Sequence, residues 1–259
     1  MAIGPAKMSI IDHLSELRMR LVRIVVCLLI AIVVFYLAAP TMGQILIWPI
    51  RDVLPLDANG NGVLNAIDPF EPFFTRLQIT LFFSVIGTSP VIIWQILAFF
   101  LPALKPNERR WFVPTFVVAC ALFVFGVVFC YFVILSTAFE WLTSQVSGLG
   151  NIEPRLESYI TIIIKFLLSF GVAFEIPLVV FYLVIFKIVP YKKLRSSWRY
   201  IYIVLMVICA MVTPDSSPIT MLLMFAALIS LYEISLLVAR VVLKKRIEKQ
   251  ELEALGEED

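Results

Sequence analysis

Three groups of side chains in this 259-residue chain could carry chemistry. Glu16 lies in His13-Leu-Ser-Glu-Leu-Arg-Met-Arg-Leu21, with Asp12 and Arg20 one helical turn to either side. A carboxylate so placed takes up a cation, and on charge spacing alone that cation is its own Arg20, in a surface helix pair worth ~0.3–0.5 kcal/mol. Glu108 stands among Lys105, Arg109 and Arg110, and the plain reading is again a local pair. Lys165 and Glu175 interrupt an otherwise apolar block. A charge in a bilayer costs at least ~2.5 kcal/mol by insertion scales, so these two must face protein, water or a ligand. They are separated by ~15 Å of helix rise, too far to pair unless the helix breaks. In the third group, Asp57, Asn59, Asn61, Asn65 and Asp68 fall at positions 1, 3, 5, 9 and 12 of a calcium-loop template with Gly62 at position 6. Against calcium, a short Asp ends the loop where a bidentate Glu is usual, Pro69 blocks a normal exit helix, and an Asn-Gly turn explains much of the stretch.

Much chemistry is excluded. A single histidine, His13, leaves no His-based metal cluster or proton relay, and no phosphate-binding, dinucleotide, zinc-protease or serine-hydrolase motif occurs. The four cysteines, Cys27, Cys120, Cys130 and Cys209, lie in apolar blocks without paired spacing, so they read as packing residues. No catalysis, cofactor or nucleic-acid partner is expected.

The elements that position these groups are membrane helices. Hydrophobic residues make up 61% of the chain and mean hydropathy is +0.97, far above a soluble domain. Apolar blocks cover residues 24–39, 77–101, 111–135, 160–186, 201–212 and 219–232. Six transmembrane helices follow, the last two short and joined as a tight hairpin by the breakers of Thr213-Pro-Asp-Ser-Ser-Pro218. Lys and Arg number four before the first span, three between the second and third, five around the fourth-to-fifth loop and five in the tail. Only Arg51 and Arg155 lie in the alternate loops, which puts both termini in the cytoplasm. Ser9 and Asp12 form a capping-box variant that starts an interfacial amphipathic helix over about residues 9–21, with Ile10, Leu14, Leu17 and Leu21 on one face. The apolar block begins late and lacks a small-residue exit site, so the first span is expected to be retained. Residues 1–240 read as one membrane domain and 241–259 as a charged cytoplasmic tail.

Several stretches, in order from end to end, resemble the TatC family, the multi-span receptor subunit of the twin-arginine protein translocase. The run from His13 to Leu21 is similar to the family's H-L-x-E-L-R-x-R-L opening. Gln95-Ile-Leu-Ala-Phe-Phe-Leu-Pro-Ala-Leu104 with Glu108-Arg-Arg110 resembles its Q-x-x-x-F-x-x-P-A-L-x-x-x-E-R-R loop. Gly171-Val-Ala-Phe-Glu-Ile-Pro177 resembles its fourth-helix G-x-x-F-E-x-P, Trp48-Pro49 its first outside-loop proline, and Thr213-Pro-Asp215 its last hairpin.

The resemblance implies an all-α, polytopic fold of six helices in a curved, glove-like wall, in a bacterial inner membrane. It also implies a receptor and scaffold for twin-arginine signal peptides of folded cargo, driven by the proton gradient, with single-span TatA/TatB-type partners, self-association and contacts with membrane lipid. Carried over residue by residue, signal-peptide binding falls to Glu16 and Glu108, with Arg18, Phe99, Leu104, Arg109 and Arg110 around them. Glu175, Pro49, Phe73, Asp215 and Lys165 become concave-face, partner or transport positions. Glu175 has three readings, ranked as a polar spot on the concave face, a protonatable relay and a structural hydrogen bond. The chain departs from the family where Pro218-Ile219 replaces the usual Ser/Thr-Gln, which leaves Thr220 or Lys165 as candidate polar neighbours of Glu175. Glu233 is expected to snorkel or pair with basic residues. A rival reading is a gradient-coupled secondary transporter of a small solute with Glu175 and Lys165 as coupling residues, against which stands the lack of an inverted repeat.

Overall fold

The computed structural model describes residues 10–54, 64–100, 112–145, 154–185, 189, 191–213 and 218–242. Among them the regular structure is helical: α1 (Ile10–Ile47), a 3-10 segment (Trp48–Val53), α2 (Glu71–Phe100), α3 (Phe112–Phe129), a π-turn (Cys130–Ile134), α4 (Leu135–Ser144), α5 (Leu156–Ala173), α6 (Ile176–Ile185), α7 (Tyr191–Ser196), α8 (Trp198–Val212) and α9 (Pro218–Val242). Five stretches are long and apolar enough to cross a membrane: His13–Val53, Glu71–Phe99, Phe112–Ser144, Leu156–Leu183 and Pro218–Val238. A sixth apolar helix, Trp198–Met211, is shorter.

The amphipathic start leads into the first span without a break, as the first turns of the 38-residue α1. Its apolar face (Leu14, Leu17, Leu21) is exposed, as a face meant for lipid would be. Ser9 lies outside the described residues. Of the two helices expected to be short, α8 is, at 15 residues, but α9 runs for 25. The apolar block stops at Glu233, and that carboxylate makes the pair with a basic residue expected of it: it accepts from Arg195 Nη1 at 2.6 Å and from the Tyr202 hydroxyl at 2.9 Å. Once paired, the charge need not end the helix.

Prolines inside long helices each vacate a carbonyl four residues back, and in lipid no water replaces the missing donor. Here side chains do so. Pro40 in α1 leaves the Tyr36 carbonyl open; Arg76 of α2 donates to it through Nε at 3.3 Å and Nη2 at 3.0 Å, with its guanidinium 4.3 Å from the centre of the Tyr36 ring. Pro49 leaves the Ile45 carbonyl, which accepts the Tyr131 hydroxyl at 2.7 Å. Pro90 in α2 leaves the Ile86 carbonyl, which accepts the Ser89 hydroxyl at 2.7 Å.

The core centres on α5, where Ile160, Ile163, Phe166, Leu167 and Phe170 recur at helical spacing on one buried face packed against α2 and α3. The α3–α5 crossing is close enough to require glycine. A Cβ on Gly126 would sit 2.7 Å from the Phe170 carbonyl oxygen, and one on Gly171 would sit 2.9 Å from the Phe123 ring and Val127. Phe125, Phe129, Phe170 and Phe174 form a ring ladder beside it. The outward faces stay apolar: Leu37 of α1 and Met211 of α8 are each 80% exposed.

At the end where α2 and α5 begin, Glu71 ties two loops together. Its carboxylate accepts the amides of Ile67 (3.0 Å), Asp68 (3.4 Å) and Glu157 (2.8 Å) and pairs with Arg155 Nε at 3.2 Å. A parallel bridge between Asn65 and Arg155 runs beside it, with the Asn65 amide on the Pro154 carbonyl at 2.8 Å and the Leu156 amide on the Asn65 carbonyl at 2.9 Å.

Candidate functional site

Where α1 begins and α2 ends, one polar face of α1 meets the last turns of α2. His13, Glu16 and Arg20 recur at i, i+3 and i+7 and so share that face, while Gln95 and Phe99 share a face of α2 one turn apart. The His13 ring stacks on Phe99 with centroids 4.3 Å apart and planes inclined by 21°. Two guanidinium nitrogens of Arg20 hold one oxygen of Glu16, Oε1, with Nε at 3.0 Å, and a third, Nη1, reaches Gln95 Oε1 at 3.2 Å. The other oxygen, Glu16 Oε2, is buried and has no hydrogen-bond partner among the described residues. A buried carboxylate oxygen has several lone-pair directions to fill, and leaving them empty is costly. Glu16 is therefore half-satisfied, fixed in orientation by Arg20 and open on one oxygen.

Of the positions singled out around Glu16, Phe99 is built into this niche, and Arg18 is exposed on α1. Leu104, Glu108, Arg109 and Arg110 lie outside the described residues. Gln95 was part of a recognised stretch but was not singled out; its signal was its place one turn before Phe99 on a helix whose other residues are mostly apolar.

The second group is spread along the spans. Glu175 sits at the break between α5 and α6, where Phe174 caps α5 and Pro177, without an amide hydrogen, follows. Its Oε1 is buried with no hydrogen-bond partner among the described residues, so neither Thr220 nor Lys165 donates to that atom. Lys165 is exposed on α5, nearly three helical turns from Glu175 and ahead of the break, so the two do not form a direct pair. One turn before Lys165, Thr161 donates to Gln78 Oε1 of α2 at 2.9 Å. Pro49 and Phe73 lie at the opposite end of the molecule from Glu16, in the 3-10 segment and the first turn of α2, with Phe73 exposed. Asp215 lies outside the described residues.

Of the calcium-loop positions, Asp57, Asn59 and Asn61 lie outside the described residues. Asn65 is committed through its backbone to the bridge with Arg155, and Asp68 Oδ1 accepts the Phe70 amide at 2.7 Å at the start of α2. No group of three metal-ligating side chains occurs among the described residues.

Elsewhere, the Glu233 carboxylate raises the Arg195 guanidinium above its ordinary pKa by accepting its hydrogen bond. All four cysteines are free.

The family profile described as Sec-independent protein translocase protein (TatC) matches residues 12–226. The chain is 31% identical to the TatC protein of Carboxydothermus hydrogenoformans over 92% of its own length and 95% of that protein's. It is 33% identical to the TatC protein of Aquifex aeolicus over 94% and 99% of the respective lengths. A crystal structure of the twin arginine translocase receptor TatC superposes with a TM-score of 0.73 at 32% identity, covering 88% of this chain and 99% of that one.

Proposed function

Since this chain belongs to the TatC family of Sec-independent protein translocase proteins, we propose that it is the receptor and scaffold of a twin-arginine translocase. In this reading it is a multi-pass protein of a bacterial inner membrane with both termini cytoplasmic. It captures the paired arginines of signal peptides on folded cargo and gathers single-span TatA/TatB-type subunits for export driven by the proton gradient.

The observation that carries this is the state of Glu16. A guanidinium ligand needs a carboxylate oxygen that is desolvated, oriented and unfilled, because such bonds are charge-assisted and strongest out of bulk water. Glu16 Oε2 meets those conditions, while Arg20 and Gln95 hold the carboxylate still. The His13–Phe99 stack supplies an apolar floor beside it. One carboxylate serves one arginine. Glu108, in the loop that resembles the family's recognition segment, serves the second, with Phe99 and Leu104 taking the ligand's hydrophobic residues and Arg18, Arg109 and Arg110 setting the local charge.

Binding of a twin-arginine peptide and of its twin-lysine version to the purified protein is the direct test. Glu16→Gln and Glu108→Gln should each weaken the first by at least tenfold, as expected for loss of a charge-assisted bond worth ~1.5–3 kcal/mol. The double variant should lose less than the sum, because the two sites share one ligand. Unchanged affinity in the double variant would refute the assignment.

A further inference from the structure

Two irregular pieces of helix meet at the end of the molecule opposite Glu16. The 3-10 segment that follows α1 and the π-turn between α3 and α4 enclose a cavity of about 420 Å³. The first wall contributes Trp48, Arg51 and Asp52, the second Tyr131, Phe132 and Ser136. The walls are fixed to one another by the Tyr131 hydroxyl on the Ile45 carbonyl at 2.7 Å and the Ser136 hydroxyl on the Pro49 carbonyl at 2.9 Å. The space is therefore preformed, and its volume lies within the ~300–1,000 Å³ range of small-ligand sites. π-turns also recur at functional sites in helices that are otherwise regular.

The lining has a definite chemistry. Arg51 and Asp52 are adjacent, exposed and opposite in charge, and neither side chain makes an ion pair or hydrogen bond among the described residues. Trp48 and Phe132 are exposed beside them, 54% and 61% respectively, and the surface continues through the exposed apolar residues Ile45 and Val133. Aromatic residues at the end of a spanning helix mark the level of lipid headgroups. We propose that this cavity is a headgroup site for a zwitterionic phospholipid with a primary ammonium group. Its phosphate lies on Arg51, its ammonium on Asp52, and its glycerol and first methylenes along Trp48 and Phe132.

Charge and hydrogen bonding select that class. A purely anionic headgroup would set its phosphate on Arg51 but bring no ammonium to answer Asp52. A choline headgroup carries the right charges but no N–H to donate to the carboxylate, so it forfeits the charge-assisted bond. A soluble phosphate ester would leave the aromatic wall in water.

The test uses the full-length protein in detergent, with bound lipid counted by native mass spectrometry. Phosphatidylethanolamine, phosphatidylcholine and phosphatidylglycerol of identical acyl chains are offered in competition, and soluble glycerophosphoethanolamine in a separate arm. The wild-type protein is expected to retain phosphatidylethanolamine about tenfold over the other two, the ratio of one charge-assisted bond. Arg51→Gln should lower retention of all three while leaving phosphatidylethanolamine preferred through Asp52. Asp52→Asn should keep phosphate binding but remove the preference for the ethanolamine lipid. Both residues are exposed, so melting temperatures should stay at the wild-type value and certify the fold. Equal retention of the three lipids by the wild type would overturn the proposal, as would a double variant that still prefers phosphatidylethanolamine. Displacement of the lipid by glycerophosphoethanolamine at equal concentration would mark a site for a soluble solute and overturn the lipid assignment.

Discussion

A half-buried carboxylate with one filled and one empty oxygen is asymmetric, and Glu16 owes that asymmetry to Arg20. Because two Arg20 nitrogens converge on Oε1 and a third is anchored on Gln95, Arg20 acts as a positioning residue for the oxygen that remains. Arg20→Gln is expected to weaken twin-arginine binding several-fold while leaving preference over twin-lysine intact, and calorimetric titration reads both. Tighter binding in that variant would instead identify Arg20 as a competitor for Glu16. Glu175 poses a different question, since its unfilled Oε1 lies within a span, at the break between α5 and α6. We predict that Glu175 is required for transport but not for docking of the arginine pair. Glu175→Gln keeps the hydrogen-bonding shape and Glu175→Leu removes it. Transport by Gln but not Leu makes the residue a polar contact on the wall, and failure of both implicates ionisation. Peptide binding lost in well-folded protein with both changes would sink the division of labour.

Among the elements, the sequence shows where helices run better than where they stop. The apolar blocks were legible, because spanning a bilayer imposes composition over ~20 residues at a time. The end of α9 was not. A carboxylate at 233 looks like a terminus until Arg195 and Tyr202 are seen on it, and their pairing depends on the return of α7 and α8. The same holds for Arg76, a charge near a span with no evident partner in sequence. Its partner is the carbonyl that Pro40 leaves behind on another helix. This makes a coupled prediction. Arg76→Met should destabilise the protein by about 2 kcal/mol through loss of the hydrogen bonds and the contact over the Tyr36 ring. In a Pro40→Ala background, where α1 can donate its own amide to Tyr36, the same change should cost about 1 kcal/mol less. Unfolding by titration with sodium dodecyl sulfate measures all four proteins; strictly additive losses would show that Arg76 and Pro40 are unrelated.

For the molecule as a whole, the contacts least visible in the sequence are those that close loops at the end opposite Glu16. Glu71 reaches the Glu157 amide across 86 residues, and no local pattern marks either partner. Residues that resemble a calcium loop supply some of this closure instead, through the Asn65 bridge and the Asp68 cap. The borrowed donors on the vacated carbonyls have a consequence in time. Ser89 travels on the same helix as the carbonyl it serves, so α2 enters lipid already complete. In α1, by contrast, the Tyr36 carbonyl waits for α2 and the Ile45 carbonyl waits for the π-turn after α3, so a ribosome that has made only the first span has delivered a helix with two unmet polar groups. Chains arrested after residue 60 should therefore slip from the bilayer under carbonate extraction more readily than chains arrested after residue 105, and Pro40→Ala should narrow that gap. Equal retention at both lengths would mean that α1 needs no companion. If the gap holds, the order of synthesis is itself a folding instruction, with later spans arriving as chaperones of the first.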